Sequence, residues 1–140
     1  MKAYLTRRYM FSASHRLHAP GMSGEENLVT YGKCNNPYGH GHNYMLEVTV
    51  SGEVDGATGT ICNLVDLDLC VREEILERFD ISNLNQLPEF AHQVPTTENL
   101  CLAIHEILQR KFTQAHLHKV RLEETMMNSF EYAADAEIRT

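Results

Sequence analysis

Apolar residues alternate with polar ones in two segments of the chain. The first segment runs from Tyr4 to Ser14 and the second from Tyr44 to Val54, where Leu46, Val48 and Val50 occupy every second position. A period of two is typical of a strand with one buried face. The pattern therefore predicts two early strands. The stretch between them, 17–39, is rich in Gly, Pro, Asn and Ser, and a loop of that length usually has a function.

The pattern then changes to helical spacing. Residues Leu67, Val71, Ile75, Leu76 and Phe79 predict a first helix after the turn-rich segment 55–60. A second helix is predicted from Thr96 or Thr97, where a hydroxyl can cap free N–H groups, to about Phe112. Its buried stripe comprises Leu100, Ile104, Ile107 and Leu108.

The C-terminal segment 119–138 returns to strand-like sequence around a turn near Asn128, which predicts a closing hairpin. Strands and helices segregated in this order indicate an α+β fold, a four-stranded antiparallel sheet with two helices on one face. Free strand edges tend to be paired, so assembly into a larger barrel through the sheet edges is a hypothesis.

Composition narrows the class of protein. The 140 residues fit one domain, 1–140, and the net charge of -7 disfavours a nucleic-acid partner. No segment is apolar enough for a secretion signal or a membrane span, so a cytosolic protein is expected. The four cysteines form no C-x-x-C pair, and we expect them to be reduced thiols.

Three histidines predict a metal site. His40 and His42 lie two residues apart where the second strand begins, so both imidazoles can face the same ion, and His15 closes the first strand. Three histidines with no fourth evident ligand are typical of catalytic zinc, which keeps one position open. The other histidines are interpreted as ordinary surface or core residues: His18, His92, His105, His116 and His118.

Cys34 differs from the other cysteines in its neighbours. It follows Lys33 in the long loop, whereas Cys62, Cys70 and Cys101 sit among apolar residues. A positive charge and a nearby dication would lower the pKa of the Cys34 thiol and enlarge its thiolate fraction. The sequence therefore predicts a reactive thiol beside the metal.

The chain resembles the family of 6-pyruvoyltetrahydropterin synthase and 6-carboxytetrahydropterin synthase, the second an enzyme of queuosine biosynthesis. The stretches that carry the resemblance are FSASHRLH (11–18), EENL (25–28), GKCNNPYGHGHNY (32–44), NLVDL (63–67), TTENL (96–100) and EET (123–125). The resemblance implies the tunnelling fold (T-fold), a homohexamer built as a dimer of trimers, and a carbon–oxygen lyase. It would convert 7,8-dihydroneopterin triphosphate to a tetrahydropterin with loss of triphosphate.

The resemblance also implies roles for individual residues. His15, His40 and His42 would hold Zn²⁺, and Cys34 would be the general base. Glu124 would bind the guanidine-like edge of the pterin, a favourable geometry for a carboxylate. Thr97 and Glu98 would complete the pocket, although helix capping alone also explains these two residues.

One position departs from the family pattern. The family carries an Asp-His pair here, and this chain has Asp80 followed by Ile81, which cannot transfer protons. Asp80 would remain as a catalytic residue, and His92 could replace the missing histidine if its loop folds back. Three alternatives stay open: weakened synthase activity, a different product such as the 6-carboxytetrahydropterin, or zinc and pterin binding with little turnover.

Overall fold

The computed structural model describes residues 1–134 and contains one mixed sheet with helices on one face. The strands are β1 (Lys2–His15), β2 (His40–Glu53), β3 (Ser82–Asn83), β4 (His116–Thr125) and β5 (Asn128–Tyr132). The helices are α1 (Gly24–Tyr31), α2 (Leu64–Val71), α3 (Glu77–Phe79) and α4 (Thr97–Lys111). A π-helical turn, Arg72–Leu76, joins α2 to α3, so that these form one continuous helix.

The sheet has five strands in the order β3-β1-β2-β4-β5, which corrects the prediction of four antiparallel strands. The additional strand, β3, is parallel to β1 and pairs through only two residues, Ser82 and Asn83. The other three pairings are antiparallel, as expected. A two-residue strand has no periodicity for a sequence pattern to reveal, which is why it escaped prediction.

The predicted long elements are confirmed with small shifts of their ends. Strand β1 extends the predicted segment by a residue or two at each end, and β2 begins at His40 rather than Tyr44. Helix α4 has Thr96 as its N-cap and ends before Phe112. The predicted hairpin is formed by β4 and β5, and its last residues, 135–138, lie outside the described part of the chain.

The core lies between the sheet and the helical layer. Apolar side chains alternate toward this layer from β1, β2 and β4, and the apolar stripes of the α2–α3 helix and of α4 cover them. Within residues 1–134, no helix combines the length and apolar character that crossing a membrane requires. The largest side chains with almost no exposure include Tyr44, Leu46, Leu67, Ile75, Phe79, Leu84, Leu100, Ile104, Leu108 and Leu122.

An unpredicted helix, α1, lies inside the long loop. Ser23 accepts a hydrogen bond from the Glu26 N–H at 3.0 Å, and the Glu26 carboxylate accepts one from the Ser23 N–H at 3.0 Å. This reciprocal pair is a capping box. The spacing of Ser23 and Glu26 is visible in the sequence and would have predicted the helix.

Candidate metal centre

Strand register brings three histidines together. In the antiparallel β1–β2 pair, His15 lies opposite His40, and His42 lies opposite Ala13. These positions share the face of the sheet that the helices cover, because side chains alternate along each strand. The three imidazole centroids lie 4.7, 5.0 and 5.1 Å apart, with the rings nearly perpendicular to one another. The expected convergence is present, and metal binding stays a prediction.

The orientation of His15 is fixed by the backbone. Its Nδ1 lies 2.8 Å from the carbonyl oxygen of Pro95, and because a carbonyl can only accept, Nδ1 carries the hydrogen. The lone pair of Nε2 is then buried without a hydrogen-bond partner. Burial lowers the pKa of His15, which favours the neutral ring. A buried neutral imidazole with an unused lone pair is suited to a metal ligand.

His40 and His42 complete the donor set. Their Nε2 atoms are 2.9 Å apart, and burial lowers the pKa of His42. Ligand nitrogens that surround zinc tetrahedrally at ~2.0–2.1 Å lie about 3.3 Å from one another. The observed separation is close to this value, and imidazole is a preferred zinc ligand. The residues present therefore fit a zinc ion.

Glu124 lies beside the histidines at the end of β4. Its Oε2 accepts a hydrogen bond from the Thr97 hydroxyl at 2.7 Å and is 3.7 Å from Nε2 of both His15 and His42. The structure thus brings Thr97 and Glu124 together, as expected. Glu98 is exposed at the start of α4 and forms no hydrogen bond with these side chains. The favourable interaction of its negative charge with the helix N-terminus is a sufficient reason for a glutamate at this position.

Cys34 lies in a 3₁₀ turn, Gly32–Asn35, next to the histidines. Donor atoms of Cys34, His15 and His40 all lie within 4.8 Å of one another. Burial and the negative charge of Glu124 raise the pKa of the Cys34 thiol, so the lowering expected from Lys33 is wrong for the protein alone. A thiolate here needs a further positive charge.

The loop position of Cys34 depends on a buried amide that sequence reasoning missed. Asn35 donates from its side chain to the Leu17 carbonyl at 2.7 Å, and the Leu17 N–H donates to the Cys34 carbonyl at 2.8 Å. These bonds anchor the turn to the end of β1. No local sequence signal distinguishes the buried Asn35 from the exposed Asn36 beside it.

A cavity of about 930 Å³ opens beside this cluster. Cys34, His40, His42 and Glu124 line it, together with the apolar side chain of Leu28. Its volume lies in the range of small-molecule sites, which combine apolar walls with a few convergent polar groups. The arrangement can hold a divalent cation and a compact organic substrate side by side.

Asp80 and Ile81 have a different location. The Asp80 carboxylate accepts a hydrogen bond from the Ser12 N–H at 2.8 Å, and the Ile81 N–H donates to the Ser12 carbonyl at 2.6 Å. Asp80 therefore secures the edge of β1 and makes no hydrogen bond with the three histidines. Ile81 is 83% exposed and lines a separate concavity that His42 also borders.

Comparison with known proteins gives a consistent result. The sequence model of the family described as 6-pyruvoyl tetrahydropterin synthase matches residues 4–135. The chain belongs to this family. The 6-pyruvoyl tetrahydrobiopterin synthase of Homo sapiens is 47% identical over 135 residues, which cover 96% of this chain and 93% of the human protein.

Other family members agree in structure and in sequence. The structure of Caenorhabditis elegans 6-pyruvoyl tetrahydropterin synthase matches with a TM-score of 0.92 and 37% identity, covering 96% of this chain and 97% of that one. An Archaeoglobus fulgidus relative named as a 6-carboxy-5,6,7,8-tetrahydropterin synthase is 36% identical over 101 residues, covering 72% of this chain and 71% of the relative. The chain is an enzyme of the 6-pyruvoyl tetrahydropterin synthase type.

Proposed function

We propose that this protein is a carbon–oxygen lyase that converts 7,8-dihydroneopterin triphosphate to a tetrahydropterin and releases triphosphate. The observation that carries the proposal is the cluster of three imidazoles, one thiol and one partly buried carboxylate, all but His15 lining a single cavity, in a member of this family. Each group has a separate task in such a reaction.

In the proposed site His15, His40 and His42 hold Zn²⁺. The Pro95 carbonyl keeps the His15 ring in one tautomer, so that its Nε2 lone pair faces the other two rings. When bound, the ion would supply Lewis-acid polarisation of the substrate's side-chain hydroxyls and positive charge that favours the Cys34 thiolate. The three imidazoles support this assignment, because imidazole nitrogen is a preferred ligand of zinc.

Cys34 is proposed as the general base. Its thiolate takes a proton from a side-chain carbon of the substrate, and the carbon–oxygen bond to triphosphate breaks with the electron pair leaving on triphosphate. Hydrogen lost from the side chain is returned to the pterin ring, which becomes a tetrahydropterin. Oxidation of the side chain balances reduction of the ring, so no external redox cofactor is consumed.

Glu124 is proposed to bind the pterin. Its two carboxylate oxygens can accept a pair of N–H groups from the guanidine-like edge of the ring, a strong geometry for a charged acceptor. The Thr97 hydroxyl orients this carboxylate through the 2.7 Å hydrogen bond. Glu98 is exposed at the helix terminus of a single chain, so it remains available to a pocket formed between subunits of the proposed homohexamer.

Two alternatives concern the product and the rate. The Archaeoglobus relative favours a 6-carboxytetrahydropterin synthase as the second candidate, which also releases triphosphate but yields a different side chain. Ile81 favours the third candidate, a zinc and pterin binding protein with little turnover, because no acid–base group occupies that position. Loss of one such group typically lowers a rate by ~10²–10⁴-fold.

The test is incubation of the zinc-loaded protein with 7,8-dihydroneopterin triphosphate, with triphosphate release and product mass as readouts. We expect Cys34→Ala to lower the rate at least ~10²-fold. Cys70→Ala, which removes another partly buried free thiol, is the matched control and should leave the rate unchanged. Pterin binding without triphosphate release would refute the lyase proposal.

The Ile81→His variant tests the role of the missing histidine. If the lost acid–base group limits turnover, this variant should release triphosphate faster than wild type. An unchanged rate in Ile81→His, combined with a large loss in Cys34→Ala, would mean that the missing histidine does not limit the reaction.

The assembly and the location in the cell are further parts of the proposal. We propose a homohexamer, a dimer of trimers, in the cytoplasm. The outer strands of the sheet, β3 and β5, support it because each has one unpaired edge in the described chain, and such edges are usually paired or covered. Mass measurement of the native protein in solution tests it, and a monomer would refute it.

A further inference from the structure

Lys33 is the one Lys or Arg among the described residues that line the cavity beside the histidine cluster. Its side chain is exposed, and its ammonium forms neither an ion pair nor a hydrogen bond with any residue in the range 1–134. Several other basic side chains are already held by carboxylates, among them Arg7, Arg78 and Arg121. The ammonium of Lys33 is therefore free to bind a ligand that enters the cavity.

The positive charge of Lys33 does not serve the adjacent thiol. Burial and the charge of Glu124 raise the pKa of Cys34, and Lys33 does not counteract them. Glu124 is also the only acidic side chain among the described residues of the cavity lining, and Lys33 forms no ion pair with it. The charge of Lys33 thus has no task within the described chain.

The 3₁₀ turn that carries Lys33 has an anchored backbone. The Lys33 carbonyl accepts the Asn36 N–H at 3.2 Å, and the Cys34 carbonyl accepts the Leu17 N–H at 2.8 Å. Asn36 also lines the cavity, and its side-chain oxygen accepts the Tyr38 N–H at 3.2 Å. The side-chain NH₂ of Asn36 donates to no residue of the described chain. One fixed turn therefore presents an ammonium and an amide, both hydrogen-bond donors, to the cavity.

These donors suit an anion that the remainder of the chain would repel. The net charge of -7 makes the average field unfavourable for an anionic ligand. The N-terminus of α1 begins at the cavity-lining Gly24, but Glu25 and Glu26 in its first turn oppose a second anion there. Lys33 is therefore the group of the lining that can give a phosphate chain a charge-assisted hydrogen bond.

We propose that Lys33 binds the triphosphate chain of the substrate, with the Asn36 amide as a second donor. This inference rests on the proposed function, which identifies the ligand as a pterin that carries a triphosphate. The contact makes the site select phosphorylated over dephosphorylated pterins. Because Lys33 binds the leaving group and takes no part in proton transfer, its loss should raise KM more than it lowers kcat.

Equilibrium binding of two ligands to the zinc-loaded protein tests this role. 7,8-Dihydroneopterin triphosphate and 7,8-dihydroneopterin differ only in the triphosphate, and a Cys34→Ala parent avoids consumption of the first. We expect Lys33→Met in this parent to weaken binding of the triphosphate form at least ~10-fold and to leave binding of the dephosphorylated form unchanged. Lys33→Arg, which keeps the charge, should restore most of the affinity. Lys2→Met is the matched control for net charge, because this exposed lysine lies at the opposite end of β1 from His15.

Three results would overturn the inference. The first is an equal affinity of the parent for both ligands, or a Lys33→Met variant that keeps the preference of the parent. The second is an equal weakening of both ligands in Lys33→Met, which would mean that Lys33 maintains the loop. The third is loss of the preference when the parent is treated with a chelator, because the metal would then hold the triphosphate. Failure of the proposed function has a different signature, in which wild type releases no triphosphate while the binding comparison still decides the role of Lys33.

Discussion

His105 provides a pH-dependent stability test that is independent of the metal centre. The side chain is 4% exposed in α4, packs edge-on against the Tyr132 ring with centroids 4.7 Å apart, and has a buried Nε2 without a hydrogen-bond partner. Burial, and to a lesser degree the charge of His116, lowers its pKa. The folded state therefore holds His105 neutral at pH values where the unfolded chain would protonate it.

The direction and size of the effect follow from linkage. A histidine in the unfolded chain titrates near pH ~6.5, so the unfolded state binds the additional proton as the pH falls and the folded state is destabilised. The neutral His105 therefore causes no loss of folding stability well above pH ~6.5. As the pH falls below this value the protein becomes less stable, and the loss continues until the pH reaches the lowered pKa of His105 in the folded state. The loss between pH 7 and pH 5 has an upper limit of about 2 kcal/mol, which is the value for a histidine that is never protonated in the folded state.

The assay is urea unfolding of wild type and His105→Phe at pH 7 and pH 5. We expect the variant, whose ring keeps the contact with Tyr132, to lose up to about 2 kcal/mol less than wild type over this interval. His15 and His42, whose pKa values burial also lowers, contribute equally to both proteins. His92→Gln, which removes an exposed imidazole, is the control. Equal losses in wild type and His105→Phe would refute the reasoning.

Three further predictions concern the loop, the β1 edge and the metal. Asn35→Ala leaves the Leu17 carbonyl without its donor and should lower the free energy of unfolding by ~1–3 kcal/mol in urea, whereas Asn36→Ala should change it by less than about 0.5 kcal/mol. Ile81 has a φ of 53°, which is strained for a β-branched residue, so Ile81→Asn should raise the melting temperature by an amount equivalent to ~1 kcal/mol and Ile81→Val should not. Zinc at 100 times its dissociation constant should stabilise the folded protein by about 2.7 kcal/mol relative to protein with chelator, and an unchanged melting temperature would argue against the metal site.

The predictions that succeeded depended on one-sided burial. Strands β1 and β2 and helix α4 each bury one face, so their apolar residues repeat at the strand or helix period. Register follows from the same fact, because a shift of one residue would turn every core side chain of β1 to the other face. The convergence of His15 with His40 and His42 could therefore be anticipated from spacing alone.

The predictions that were wrong or missing concern features that residues adjacent in the sequence do not determine. The pKa of the Cys34 thiol is raised, although Lys33 precedes it, because its burial and the approach of Glu124 arise from contacts between distant segments. Likewise Thr97 and Glu98 are adjacent and both suit a helix start, and only the position of β4 decides which one reaches Glu124. Strand β3 is too short for any pattern.

The family's Asp-His pair corresponds to Asp80 and Ile81 in this chain, and these two residues have separate structural roles. Asp80 retains a structural task, since its carboxylate accepts the Ser12 N–H at the edge of β1 whatever residue follows it. The exposed Ile81 side chain makes no comparable contribution, and its backbone alone bonds to Ser12. The presence of Asp80 is therefore no evidence for proton transfer at this position. Proton transfer by the proposed lyase would then fall to Cys34 and the histidine cluster, of which only His42 borders the same concavity as Ile81.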